Sequence, residues 1–286
     1  MSPNLKRRLG AGLIHLLLSI GVASLAALLI FCVWYPGALA PLQGVNRLLL
    51  LMIVVDVCLG PLLTMVVFSP GKTLRLLRLD LGLIGLLQLS ALVYGVSVIA
   101  QGRPAYLVFE LDRFVLVSAA DVATEGLAAA RQRPGVGGPS WFGPRLVSAR
   151  LPEDPALRQD ILMAAVNGGA DLAQRPQWYA PYTEDRAIVL RKLRPLEQLQ
   201  KANGLDEGQL QERMKGEGVD PARAAYLPLR VGPRDGVIFV DRQSAEVLGY
   251  ATLLPLWSAA MRQDSPAEAP AVGGPGYPES IIGLPH

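Results

Sequence analysis

Few residues in this sequence combine a reactive side chain with a position that would put it to use. Asp56 comes first, because it interrupts the apolar run from Leu48 to Phe68. A carboxyl in hydrocarbon costs about 2.5 to 3.5 kcal/mol on insertion scales, so it must be neutral or partnered. Pro61, five residues on, lacks an N–H and opens the helical ladder beside it. Two readings satisfy these constraints: a protonated Asp56 hydrogen-bonded inside a helix bundle, or a docking or proton-linked role. Glu110 and Asp112 are next, two apart in a stretch whose alternation predicts a strand, which puts both carboxylates on one side. Such a pair suits acid/base or metal chemistry. A solvent face with cross-strand arginine partners suits the same spacing. Glu184 and Asp185 form a further acidic pair, and Gly137, Gly138 and Ser140 sit in a glycine-rich loop without the Lys and following Ser/Thr of a phosphate-binding loop.

The inventory excludes more than it offers. Both cysteines, Cys32 and Cys58, lie in apolar runs, and the only histidines are His15 and the C-terminal His286. The polar two thirds of the chain therefore has neither a disulfide framework nor a cysteine zinc site. Nucleophile systems built on Cys/His or Ser/His/Asp are removed as well. No metal or cofactor is expected, and binding is favoured over catalysis.

The elements that must position these residues follow from composition. The 286 residues are 51% hydrophobic and 18% charged, but residues 1–100 hold 63 of the hydrophobic set and the other 186 only about 83. Charge divides likewise, with seven Lys/Arg and two Asp/Glu in residues 1–100 against twenty and twenty-two afterwards. The basic balance is thus no nucleic-acid footprint. Leu13 to Tyr35 contains 23 residues without a charge, enough at about 1.5 Å per residue to cross about 30 Å of hydrocarbon. A cleaved signal peptide is the rival reading, but the run exceeds the usual apolar core of one and further spans follow. Leu48 to Phe68 is a second span and Leu81 to Ala100 a third. Lys6, Arg7 and Arg8 precede the first, and Lys72, Arg75 and Arg78 join the second to the third, so the positive-inside rule places the N-terminus in the cytoplasm and everything after Ala100 on the far side. Ser19, Ala23 and Ala27 make a ladder of small side chains at four-residue spacing, and Ala91 and Gly95 repeat it. Such stripes let helices approach closely, within the bundle or against another protein's helix. Depth arithmetic puts His15 near the cytoplasmic interface and away from Asp56, for which Gln88, Ser90, Tyr94 and Ser24 lie at matching depth.

After the spans, Ala105 to Val117 reads as one long strand, with Leu107, Phe109 and Leu111 on one face and Val108, Glu110, Asp112 and Phe114 on the other. Ser118 to Arg131 reads as a helix, Arg133 to Pro144 as a Gly/Pro loop, Arg145 to Leu151 as a strand, and Asp154 as the cap of a helix reaching about Val166. A helix starts at Thr183 and is interrupted by Pro195. Helical pattern resumes to Ala202, and another stretch runs from Asp206 to Lys215. Strands follow at Tyr226 to Val231, Gly236 to Asp241 and Glu246 to Leu253, the last two joined through Arg242 to Ala245 as a hairpin. Trp178, Tyr179 and Tyr182 form an aromatic cluster read mainly as packing, with a partner surface as the rival. The expected fold class is α+β: a basic tail (1–12), a three-helix transmembrane bundle (13–100), a periplasmic mixed α+β domain (101–261) and a Pro/Gly/Ala-rich disordered tail (262–286).

Several strings resemble the TfpX/TfpZ family of type IV pilin accessory proteins: His15 to Ser19 (HLLLS), Val33 to Gly37 (VWYPG), Val55 to Val67 (VDVCLGPLLTMVV), Tyr94 to Gly95, and Arg103 to Phe114 (RPAYLVFELDRF). Agreement is dense through residue 117 and returns loosely at Leu227 to Leu229 and Val240 to Trp257. The resemblance implies a bacterial inner-membrane protein that supports assembly of its cognate pilin, with no active-site motif to carry over. It marks Asp56, Gly60 and Pro61 in the second span, and Arg103, Pro104, Glu110, Asp112, Arg113 and Phe114 beyond the third. Candidate partner-binding residues are therefore Ser19, Ala23, Ala27, Asp56, Gly60, Pro61, Glu110, Asp112, Arg113 and Phe114, facing the pilin's membrane helix and its periplasmic head. The lipid bilayer is the other expected partner, and nucleic acid is not one. A membrane-anchored sensor is the alternative, though the short cytoplasmic segments leave no room for an output domain. A periplasmic enzyme comes third.

Overall fold

A computed structural model describes residues 3–69, 71–232 and 234–255. Three helices are long and apolar enough to cross a membrane: Asn4–Trp34, Val45–Val67 and Leu74–Gln101. The first is helix α1 (Pro3–Leu28) continued in π form over Leu29–Trp34. A short helix α2 (Leu39–Gln43) leads through Gly44 into α3 (Val45–Ile53), a π-helical segment Val54–Leu59 and α4 (Gly60–Val67). Gly44 has φ +73°, a left-handed geometry that glycine adopts without strain and that turns the chain from α2 into α3. Helix α5 (Leu74–Gln101) starts on a Thr73 cap that accepts the Leu76 N–H. Cys32 and Cys58 are both free thiols on the exposed surface of the bundle.

Immediately after α5 the chain enters a seven-stranded mixed sheet, ordered β4-β3-β1-β2-β5-β6-β7. Strand β1 (Pro104–Glu110) pairs antiparallel with β2 (Arg113–Ser118) through a turn at Leu111 and Asp112, closed by the pair Glu110 and Arg113. The single strand expected from Ala105 to Val117 is thus a hairpin. The turn inverts the alternation, so Phe114 joins Phe109 on one face of the sheet, with ring centroids 5.4 Å apart, instead of lying opposite it. The helix expected over Ser118 to Arg131 is also corrected. A single 3-10 turn (Ala119–Asp121) and the short helix α6 (Leu127–Gln132) occupy it, and Gly126 at φ +72° separates them.

Downstream, local signals act as expected. In β3 (Arg145–Ala149) the chain runs parallel to β1, and α7 (Pro155–Val166) begins on Asp154, whose carboxylate accepts the Ala156 N–H at 2.9 Å. Strand β4 (Tyr179–Pro181), too short for periodicity to reveal, precedes α8 (Tyr182–Lys192). Pro195 separates α8 from α9 (Leu196–Asn203), and a reciprocal Asp206 and Gln209 capping box starts α10 (Glu207–Gly216). Strands β5 (Ala224–Val231), β6 (Arg234–Asp241) and β7 (Val247–Ala251) complete the sheet. The β6–β7 turn is Arg242 to Ala245, and the buried Asp241 carboxylate accepts the Gln243 and Ser244 N–H groups there at 2.8 and 2.9 Å. These bonds, with Arg223, hold its pKa down at about 2.

Both faces of the sheet are covered. Helices α2 and α8 pack on one face through Leu39, Leu42, Tyr182 and Val189. On the other, α7 contributes Ile161, and α9 and α10 contribute Leu199, Leu210 and Met214. Tyr179 and Tyr182 are core residues, so two members of the aromatic cluster do packing work, Tyr182 also donating to the Ala245 carbonyl at 2.6 Å. The expected tail at 262–286 and the Trp257 end of the resemblance lie outside the described residues.

Candidate functional site

Helix α4 packs against both α1 and α5, whereas α1 and α5 diverge and leave a groove floored by the middle helix. Close approach depends on glycines at the contacts. A Cβ at Gly12 would fall 2.4 Å from Met65 Cγ, at Gly60 1.9 Å from Gln88 Nε2, and at Gly95 2.7 Å from Met52 Sδ. The groove has a volume of about 480 Å³; Ile14, His15 and Ser19 wall it on α1, Gly85 and Gln88 on α5, and Asp56 and Thr64 form its floor.

Asp56 lies in the π-helical segment Val54–Leu59, a form common at functional sites. In a five-residue register its carbonyl would accept from the N–H of residue 61, which is proline. Gln88 Nε2 donates to that carbonyl instead, at 3.2 Å. The side chain is only 8% exposed, and its Oδ1 has no hydrogen-bond partner among the described residues. Of the four residues expected at matching depth, Gln88 alone reaches Asp56, and it does so through the backbone. Ser90 donates to the Leu86 carbonyl, and Tyr94 and Ser24 are exposed. Asp56 also borders a second cavity of about 300 Å³, lined by Ala91 and Gly95 on the opposite side. The small-residue ladders thus flank this carboxyl, with Ser19 on one side and Ala91 and Gly95 on the other. Ala23 is half-buried, and Ala27 packs against the cluster around Ile30 and Trp34.

His15 makes no hydrogen bond to Asp56, in keeping with the expectation that it is not the partner of that carboxyl. Its Nδ1 lies 2.5 Å from Thr64 Oγ1, and it lines the same groove as Asp56. Thr64 lies in the last turn of α4, so the contact sets His15 at the end of the bundle that leads to Lys72, where antiparallel packing of Gly12 on Met65 holds it against α4.

The polar candidates beyond the bundle separate. Glu110 is 6% exposed, and burial above all, then the Asp171 charge, raises its pKa to about 7 against the pull of Arg113, Arg230 and the Ala173 N–H. Asp112 is half-exposed in the turn and pairs with Arg113 at 3.1 Å and Arg194 at 3.2 Å. The two carboxylates therefore form no shared acid/base site, because Glu110 is buried at the end of β1 and Asp112, in the turn, is paired with arginines. Phe114 is fully buried. Glu184 and Asp185 both bind Arg150, which grips Asp185 through two bonds of 2.8 and 3.1 Å and ties β3 to α8.

Comparison with known proteins matches the sequence to fimbrial assembly proteins. The fimbrial assembly protein FimB family model matches residues 3–41, which cover α1 and reach α2. Two curated relatives from Dichelobacter nodosus, the fimbrial assembly proteins of serogroup I and serogroup E1, are each 34% identical over 221 residues, 76% of this chain and 83% of theirs. The chain belongs to the fimbrial assembly protein family. A third member, from serogroups C1 and C2 of the same organism, is 44% identical over 114 residues, 40% of this chain and 87% of its own. No solved structure matches this fimbrial assembly protein. The stretch matched by the family model holds His15 and Ser19, so one wall of the groove lies within it. Sequence reasoning missed the contact between His15 and Thr64 and the role of Gln88. The proline five residues after Asp56 was the one signal pointing to the latter, since it marked the carbonyl that would lose its donor.

Proposed function

We propose that this protein supports the assembly of a cognate type IV pilin into fimbriae by binding the pilin, not by catalysis. In this reading it lies in the bacterial inner membrane with three spans, its N-terminus in the cytoplasm and its sheet domain in the periplasm. The observation that carries the reading is the groove between α1 and α5: three helices arranged around an open side, with a buried carboxyl on the floor whose Oδ1 has no hydrogen-bond partner among the described residues. A fourth helix seated there would complete a four-helix packing, and a pilin brings one membrane helix. A donor on that helix would pair with the Asp56 carboxyl where it lines the groove, a group costly to leave bare in an apolar setting. The names of the relatives, all fimbrial assembly proteins, support the same role. With Glu110 and Phe114 buried, the pilin head is left with Leu111, Asp112 and Arg113 at the hairpin tip as a contact.

A photocrosslinking residue in place of Ser19 or Leu89, which line the groove, captures pilin, and one in place of Leu62 on the outer surface of α4 does not. Capture from Leu62 alone, or of other proteins but never pilin, sinks the proposal. In a deletion strain complemented with variants, Asp56→Leu lowers surface fimbriae about tenfold, equivalent to about 1.4 kcal/mol of docking, while Asp56→Asn keeps a hydrogen-bonding group and loses less. Total pilin measured in the same cells separates a stabilising chaperone, where pilin disappears, from an assembly factor, where it accumulates unassembled.

A further inference from the structure

The loop between α6 and β3 ends in an aromatic pair that the groove does not use. Trp141 is 54% exposed and Phe142 84%. The Gly/Pro-rich chain around them is nevertheless held in place. Val136 is buried in the sheet core, Tyr106 donates to the Gly137 carbonyl at 2.8 Å, and the Phe142 N–H bonds to Ser140 Oγ at 3.1 Å. Arg103 clamps the tip, its Nε donating to the Ser140 carbonyl at 3.2 Å and its guanidinium lying 3.6 Å from the centroid of the Trp141 ring.

The clamp also fixes the height of the pair along the bundle. Arg103 donates to the Ala100 carbonyl at 2.7 Å, in the last turn of α5, and the Gly143 N–H donates to the Val33 carbonyl at 3.0 Å, in the last turn of the first long helix. Trp34, in that same turn, lies 6.4 Å from Trp141 between ring centroids. Counting twenty residues from Leu81, just past Arg78 and Asp80, covers about 30 Å and reaches Ala100. Tyr35, beside Trp34, bonds through its hydroxyl to the Ile99 carbonyl at 2.9 Å. Trp141 and Phe142 therefore lie level with the point where a hydrocarbon core of ordinary thickness ends, at the height of Val33 and Trp34 on the first helix.

We infer that Trp141 and Phe142 form an interfacial anchor that seats the sheet domain on the lipid headgroup layer. Aromatic side chains favour that layer, and Trp34, itself buried, braces Trp141 from the bundle side. The loop is ordered before it meets lipid, so insertion loses little conformational freedom. The inference rests on the three long helices crossing the bilayer, as proposed above, and the test separates the two.

Full-length protein with Cys32→Ala and Cys58→Ala is given one new cysteine, labelled with an environment-sensitive fluorophore, and reconstituted into phosphatidylethanolamine/phosphatidylglycerol vesicles. At Phe142→Cys the emission shifts to the blue, bromine-substituted lipid quenches it and aqueous iodide does not. At Leu111→Cys, 58% exposed at the opposite end of β1, iodide quenches and bromolipid does not. Leu86→Cys on α5 reports whether the helices span. A Leu86 label in lipid with a Phe142 label as iodide-accessible as Leu111 overturns the anchor alone. A Leu86 label in water overturns the spanning reading and the anchor with it. Protection of the Phe142 label only when pilin is co-reconstituted assigns the pair to a protein partner and overturns the lipid assignment.

Discussion

Glu110 shows how strongly one residue's surroundings can redirect its chemistry. By spacing it belongs with Asp112; by position it is a buried carboxyl at the end of β1, held protonated up to about pH 7 by desolvation and by Asp171. The sign of its contribution follows. Below the ordinary glutamate value near 4.5 both folded and unfolded chains carry the proton and stability is complete. As pH rises through the folded value near 7 the buried group must ionise, and stability falls by roughly 3 kcal/mol in all, at about 1.36 kcal/mol per pH unit of displacement. Glu110→Gln removes that slope, so thermal unfolding followed by circular dichroism in detergent shows wild type losing stability from pH 4.5 to 7 while the variant stays level. Equal slopes in both would place the pH dependence elsewhere. Asp241 has the opposite sign: its folded pKa near 2 adds stability above the ordinary aspartate range that disappears as pH falls through that value.

Among the elements, the π-helical segment between α3 and α4 is the least ordinary. Pro61 removes the donor for the Asp56 carbonyl, Gln88 replaces it, and Gly60 leaves room for the Gln88 amide to lie flat against α4. The three residues act as a unit joining α4 to α5. Gln88→Leu strands the carbonyl and costs about 1 kcal/mol, read as a lower melting temperature in micelles. Gly60→Val costs more, because its branched side chain meets the position of Gln88 directly. A Gly60→Val protein as stable as wild type would mean that α4 and α5 do not meet closely here. The hairpin turn is the other local device. Leu111 adopts φ +53°, unusual for a side chain of its size, and so separates Glu110 in the core from Asp112 among arginines.

At the scale of the whole molecule, the bundle and the sheet are one packed body. Helix α2 inserts Leu39 and Leu42 into the sheet core, Arg234 donates to the Leu42 carbonyl at 3.0 Å, and Gln43 bridges Ser118 and the Gly102 carbonyl at 3.0 and 3.2 Å. A cavity of about 580 Å³ remains at this junction, bordered by Tyr35, Gln43, Val98, Asp171 and Arg230. Leu42→Ala opens a void beside Gly236, on which the Leu42 side chain packs closely, and costs about 3 kcal/mol. Because the lost contact couples the two parts, trypsin cuts faster after Arg234, whose guanidinium bonds to the Leu42 carbonyl, in the variant than in wild type. Unchanged cleavage would show the sheet docked independently of α2. Such rigidity would transmit the placement of a helix in the groove to the hairpin tip.

The sequence by itself determined the three apolar helices, the helix starts at Asp154 and Asp206, the break at Pro195 and the strands from Tyr226 onward. Hydrophobic period, caps and prolines act within a few residues, so they need no knowledge of the rest of the chain. It also singled out Asp56, since a charge in an apolar run is visible as soon as the run is. Tertiary structure alone decided that Glu110 is buried and Asp112 is not, that His15 faces Thr64, and that the Gly/Pro loop brings Trp141 to Trp34. Each of those outcomes depends on an element arriving from far along the chain, as when Arg234 reaches Leu42 across 192 positions. Local periodicity carries no information about which distant surface will cover a given face, and burial, with the pKa values and grooves that follow from it, is set by that covering.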